Sequence, residues 1–241
     1  MEGTVTAVQP QARRGSRRVN VFVDGRYAFS LQRELADLIQ VGQPLSELKS
    51  AELLLEDEKA RAMEAALGFL SYRPRSEREV RDRLARGQVP PAIVQSTIER
   101  LARLGYVNDE DFARFWVEQR QTHRPRGARL LRRELQRKGI ATEISGGAIR
   151  EVEDSEDPSD SAYRASLRKA RSLRTLDEAE FQRRLGQFLL RRGFDYESAK
   201  GVCRRLWAEV QSESGRASSC GERPTARLRQ VQSRTSGQSD D

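Results

Sequence analysis

The 241-residue sequence predicts an all-α fold, built from tandem three-helix repeats in an elongated, curved array with a small β-hairpin extension at the N-terminus. Three observations predict it. Apolar residues recur at helical spacing from about residue 32 onward, and the same apolar and glycine positions return about every 50 residues. Near the start, an Asp-Gly pair lies between two alternating apolar runs. Composition agrees with this reading. With 37% hydrophobic, 33% charged and 6% aromatic residues, the chain has too little apolar bulk for one deep interior and suits several small cores.

Residues 1–45 read as a hairpin and a short helix. GTVTAV alternates, and RVNVFVDGRYAFSL turns at Asp24 and Gly25, which supply the positive backbone dihedrals of a two-residue hairpin. Val19, Val21 and Val23 share one face, and Tyr27 and Phe29 follow across the turn. Arg13, Arg14, Arg17 and Arg18 fall in the loop before the hairpin. A short helix is expected over residues 32–39, punctuated by Gly42 and Pro44. A lone hairpin is marginal in water, so this one must pack on the body or on a partner.

Residues 46–104 form the first repeat. A long helix runs over 46–68, with Met63, Leu67 and Leu70 on one stripe. Ser76 and Glu79 make a capping box for a short helix that buries Val80 and Leu84. Pro90 and Pro91 open a third helix through Ile98 and Leu101. Residues 105–152 repeat the pattern. Asn108 caps a helix with Phe112, Phe115 and Trp116, a second helix carries Leu131 and Leu135, and a third holds Ile144, Ala148, Ile149 and Val152. Gly146 and Gly147 weaken this third helix, which is expected to be short or frayed.

Pro74 to Leu84 matches Pro125 to Leu135, and Leu135 and Gly139 match Leu189 and Gly193 further on. Residues 161–211 are therefore the third repeat. An acidic linker with Pro158 is expected over 153–160, and a polar, disordered tail over 212–241.

The net charge of +8 predicts attraction to phosphate backbones or acidic protein surfaces. The densest basic stretch is 120–138, where Arg120, Arg124, Arg126, Arg129, Arg132, Arg133, Arg137 and Lys138 face one acid, Glu134. Arg126, Arg129, Arg133 and Arg137 are spaced to project from one helix face, opposite Leu131 and Leu135. This ridge is read as a binding surface, because like charges one turn apart destabilise a helix by a few tenths of a kcal/mol per pair, roughly. A second basic segment, 73–86, contributes Arg73, Arg75, Arg78, Arg81, Arg83 and Arg86, but Glu77, Glu79 and Asp82 offset half of its charge, so intrahelical pairing explains it equally well.

Other chemistry is thin. His123 is the one histidine and lies before Arg124 and Pro125 in a turn; it has neither metal partners nor a nucleophile to serve. Asp109, Glu110 and Asp111 stand at a helix N-terminus, where carboxylates favour the dipole. Phe112, Phe115, Trp116, Trp207, Phe194 and Tyr196 read as core. Cys203 falls on an apolar helical position and Cys220 in the tail. No phosphate loop, nucleophile elbow or Cys/His cluster is present, so no catalytic activity, cofactor or metal is expected. The N-terminus lacks a signal-peptide core and no apolar run is long enough to span a membrane, so a cytoplasmic monomer is expected.

Four segments resemble the RecX family: LSYRPRSEREVRDRL at 70–84, LGYVNDEDFA at 104–113, PRGARLLRRELQRKGI at 125–140 and RRGFDYESA at 191–199. The match extends over residues 57–210, and the block at 104–140 is its most specific part. The resemblance implies tandem three-helix units that bind RecA and its DNA filament and inhibit ATP hydrolysis and strand exchange. It makes RecA and the RecA–DNA filament the expected partners, with single- and double-stranded DNA as further ligands. The charge alone also admits a RecA-independent helical DNA-binding protein, or a protein-only scaffold.

Overall fold

The structure, a computed structural model, describes residues 2–12, 16–155 and 157–219, with side chains as far as residue 212. Arg13, Arg14, Cys220 and the tail from 220 onward lie outside the described residues.

The N-terminal segment is more than a hairpin. Strands β1 (Gly3–Pro10), β2 (Arg18–Val23), β3 (Arg26–Gln32) and β4 (Pro44–Leu45) form one antiparallel sheet in the order β3-β2-β1-β4. The hairpin turns at Asp24 and Gly25 (φ 49° and 74°), with Val23 opposite Arg26. The Asp24 carboxylate accepts the Thr4 amide at 2.9 Å, which draws β1 alongside. Arg18 begins β2 and is no loop residue. Helix α1 (Arg33–Ala36) is a single turn.

Helix α2 (Glu47–Leu70) is 24 residues long, about 36 Å at the rise of an α-helix. Its first half gives Leu53 to the core under the sheet, with Val5, Val21, Phe29 and Leu31. Its second half gives Ala62 and Ala66 to a different core. Between them stands Asp57, a buried acid. Both of its carboxylate oxygens accept the Arg18 guanidinium, at 3.2 and 2.8 Å, and Oδ1 also accepts the Gln32 amide at 2.7 Å. A buried carboxylate is tolerable only when so paired, and this one fastens the sheet to the helix.

Three helical triplets follow. The first joins α2 to α3 (Glu77–Arg86) and α4 (Pro91–Arg103) around Val80, Leu84, Ile98 and Leu101. The second is α5 (Asp109–His123), α6 (Ala128–Arg137) and α7 (Thr142–Ser155), around Phe112, Val117, Leu131, Leu135 and Ile149. The third is α8 (Pro158–Ser172), α9 (Glu178–Arg191) and α10 (Tyr196–Ser219), around Phe181, Leu185, Leu189, Cys203 and Leu206. The sheet and the three triplets each have their own apolar cluster.

Local signals explain the helix ends. Ser76 Oγ accepts the Glu79 amide and Glu79 returns a carboxylate oxygen to the Ser76 amide, completing the capping box. Asn108 accepts two amides of the first turn of α5. Three expectations need correction. Helix α7 runs unbroken through Gly146 and Gly147, because it packs on α5 and buries Ala148 and Ile149. It continues to Ser155 and α8 starts at Pro158, so most of the acidic segment read as a linker is helical. Helix α10 likewise extends to Ser219, inside the segment read as disordered.

The triplets meet through their middle helices. Ser76, the N-cap of α3, donates its hydroxyl to the carbonyl of Lys138, the C-cap of α6, at 2.7 Å. One repeat later, Gly127, the N-cap of α6, donates its amide to the carbonyl of Arg192, the C-cap of α9, at 3.0 Å. Arg129 adds its amide to Gly193 O and its guanidinium to Leu190 O. Thus α9, α6 and α3 follow head to tail, and the orphan carbonyls of one helix meet the orphan donors of the next.

Candidate functional site

The joint between the first two triplets carries a cleft of about 640 Å³. Six cations line it: Arg75, Arg78, Arg86, Arg120, Arg137 and Lys138. The rings of Phe69 and Trp116 and the acids Glu79, Asp82 and Glu134 complete the wall. The end of α2, the turn that follows it, and helices α3, α5 and α6 bring these groups together across more than 60 residues of sequence.

Two carboxylates organise the cations. Glu79 takes Arg73 at 2.9 Å and Lys138 from the neighbouring triplet. Burial pushes its carboxyl up, but hydrogen bonds from Arg73 and Lys138 outweigh this and hold it below the ordinary carboxylate value. Glu134, buried in α6, accepts Arg120 Nε and Trp116 Nε1, both at 3.0 Å, and pairs with Arg126. The guanidinium of Arg126 is drawn below its usual value by burial first, then by Arg120, Arg192, Arg124 and Arg137. That crowding of like charge around Arg126 marks the interior of the basic region.

Both rings are covered by cations. Arg75 lies 4.0 Å from the Phe69 centroid, and Arg120 and Lys138 lie 4.3 and 5.0 Å from that of Trp116. Such contacts contribute about 0.5–2 kcal/mol each. Arg75 Nε is buried with no hydrogen-bond partner, and burial followed by Arg73 lowers its guanidinium.

The arginines read as one ridge therefore divide. Arg126 precedes α6, stands on Glu134 and is half-buried, so it is not part of the helix face. Arg120 and Lys138 are half-buried in ion pairs, as is Arg73. Arg129 is exposed but its guanidinium bonds the end of α9. Arg124, Arg132, Arg133 and Arg137 are exposed, with Arg137 Nε turned toward the Arg133 carbonyl. Arg78 is exposed beside Asp82. The joint also draws in Arg86, from the second basic segment, together with Phe69, which sequence periodicity passed over, and Trp116, which it assigned to the core. Their only signal was the repeat itself, since the cleft exists where one triplet meets the next. Tyr196, read as core, is 62% exposed.

No group of His, Cys, Asp and Glu among the described residues has the arrangement of a metal site. No described helix is long and apolar enough to cross a membrane.

Family models match in three consecutive pieces: the first three-helix domain of RecX over residues 62–101, the second over 108–148 and the third over 155–209. A regulatory protein RecX of Lactobacillus delbrueckii subsp. bulgaricus is 31% identical over 219 residues, which is 88% of this chain and 78% of that one. One of Listeria monocytogenes serovar 1/2a is 28% identical over 211 residues, 86% and 77% of the two chains. A crystal structure of regulatory protein RecX superposes with a TM-score of 0.65 at 23% identity, covering 84% of this chain and 98% of that one. The crystal structure of RecX from Lactobacillus salivarius gives 0.57 at 24% identity, covering 63% and 97%. With the same three triplets in the same order, and relatives aligned over most of its length, this chain belongs to the RecX family.

Proposed function

We propose that the chain is a non-enzymatic regulator that binds RecA and the RecA–DNA filament and restrains RecA ATP hydrolysis and strand exchange. The observation that carries this reading is the array itself. Three triplets joined head to tail present the exposed Arg124, Arg132, Arg133 and Arg137 beside a cleft lined by six cations. An extended basic body of this kind suits a repeating, negatively charged partner better than a single small ligand. A body that spans neighbouring RecA protomers would resist the motions that hydrolysis requires. Such a target places the protein in the cytoplasm, and it acts as a monomer.

The test is RecA-dependent ATP hydrolysis on single-stranded DNA, with and without the full chain. Inhibition is expected, and its loss is expected when Arg132, Arg133 and Arg137 are changed together to Glu with helical content unchanged. Undiminished hydrolysis at every concentration of the wild-type chain would remove the reading. The cleft at the first joint also favours a second reading, direct DNA binding without RecA. That reading predicts strong, salt-dependent binding to free DNA and no effect on RecA beyond competition for it.

A further inference from the structure

A cavity of about 1090 Å³ lies away from both joints. It lies between the N-terminal sheet and the first triplet, and none of the residues from Arg120 to Lys138 lines it. Its floor is helix α2, through Ala60, Met63 and Leu67. Arg17 comes from the sheet side, Arg61 from α2 and Arg100 from α4.

These three arginines are exposed, and none forms an ion pair among the described residues. The fourth arginine at the cavity, Arg18, is committed to Asp57. Two carboxylates share the wall, Glu34 and Glu64, the latter also accepting Gln32 Nε2 at 3.3 Å, so the three arginines outnumber the acids and leave a positive excess. The cavity is also held open by a fixed hinge, because Arg18 and the Gln32 amide both grip Asp57 on α2. Three uncommitted guanidiniums from three separate elements thus face one preformed cleft. Arg forks match phosphate oxygens in pairs, and the apolar strip of Met63 and Leu67 suits sugar carbons between phosphates.

We infer that the cleft between the N-terminal sheet and the first triplet is a nucleic-acid backbone site, with Arg17, Arg61 and Arg100 as its phosphate contacts. It goes beyond the proposed action on RecA and is tested without RecA. The sheet extension then has a role of its own: it supplies one wall of a DNA contact that shares no lining residue with the cleft at the first joint.

The experiment compares the full chain with a triple variant, Arg17→Ala, Arg61→Ala and Arg100→Ala, binding a fluorescent oligothymidylate over a range of salt. Loss of three phosphate contacts on a single strand lowers the magnitude of the log–log salt slope by about 2. In parallel, arginine modification by phenylglyoxal is mapped with oligothymidylate and with polyglutamate. Protection of Arg61 and Arg100 by the oligonucleotide is expected. An unchanged salt slope, or protection by polyglutamate alone, would overturn the inference. Circular dichroism of the variant separates loss of binding from loss of fold. RecA inhibition, scored on the same samples, reports the functional reading independently.

Discussion

A Cβ placed on Gly127 would stand 2.2 Å from the carbonyl oxygen of Gly193. No side chain fits there, because the N-cap of α6 rests directly on the C-terminus of α9. Gly193 is fixed twice over, by φ +89° and by Leu130 N at 2.4 Å from its own would-be Cβ. Gly139 plays the same part at the other joint, where φ is +86° and the Arg78 stem fills the space. The third equivalent position, after α3, is Gln88 at φ 60°, and no middle helix docks beyond it. Glycine is thus kept where two triplets meet and dispensed with where the array ends.

Gly127→Ala should therefore lower stability by about 1–3 kcal/mol, as overpacking does. Its φ of −73° would suit alanine, so beyond the weaker N-cap the cost is steric and falls on the joint. Small-angle scattering should show the second and third triplets displaced. Gly201→Ala, on α10 with nothing within 4 Å, is the control and should stabilise by up to about 1 kcal/mol. Equal effects of the two changes in urea melts would remove the joint as the explanation.

Asp57→Ala should detach the sheet from the helical body. It strips Arg18 and the Gln32 amide of their common acceptor, and breaking a buried pair costs about 3 kcal/mol at the lower end of its range. The lower end applies because Arg18 is partly exposed and keeps the Ser30 carbonyl at 2.7 Å. Hydrogen exchange should quicken in β1 to β3 and leave α5 to α10 protected. Uniform acceleration along the chain would mean that the sheet and the triplets unfold together.

The difference between what could be read and what could not follows the range of the interaction. The Asp24-Gly25 turn, the Ser76–Glu79 box and the three apolar stripes are local, so periodicity and capping chemistry found them. Strand β4 is two residues long and pairs with Gly3 and Thr4 some 40 positions away, so no local pattern announces it. Arg126 and Arg133 look alike in a run of arginines. Only the fold turns one toward Glu134 and the other to solvent. Asp57 sits among other acids on α2, and nothing local distinguishes it as the one that is buried.

Glu79→Gln should flatten the acid limb of the stability curve. Burial opposes the charged form of Glu79, but Arg73 and Lys138 hold its carboxyl below the unfolded value. Between the folded and unfolded values the native state binds fewer protons than the unfolded chain, so stability rises with pH through that window and is constant above it. The wild type should therefore lead the variant most above the ordinary glutamate range, and the gap should close as pH falls through the lowered value. A constant difference from pH 7 down to pH 2 would show that the charge of Glu79 contributes nothing.

Arg126→Ala and Arg133→Ala should have opposite signatures, which separates arginines that build the body from those left for a partner. Arg126 is half-buried on the Glu134 carboxylate, and its loss removes a charge-assisted bond worth about 1.5–3 kcal/mol. Arg120 and Trp116 Nε1 still hold Glu134, so the variant should fold but melt earlier. Arg133 is exposed and close to Arg129 and Arg137 on α6, so its removal relieves repulsion and should leave the melt unchanged or slightly higher. Binding should reverse the order, with Arg133→Ala weakening attachment to oligonucleotide or filament and reducing its salt dependence. If Arg133→Ala instead destabilised the fold while Arg126→Ala alone impaired binding, the division of the arginines drawn from Glu134 would be wrong.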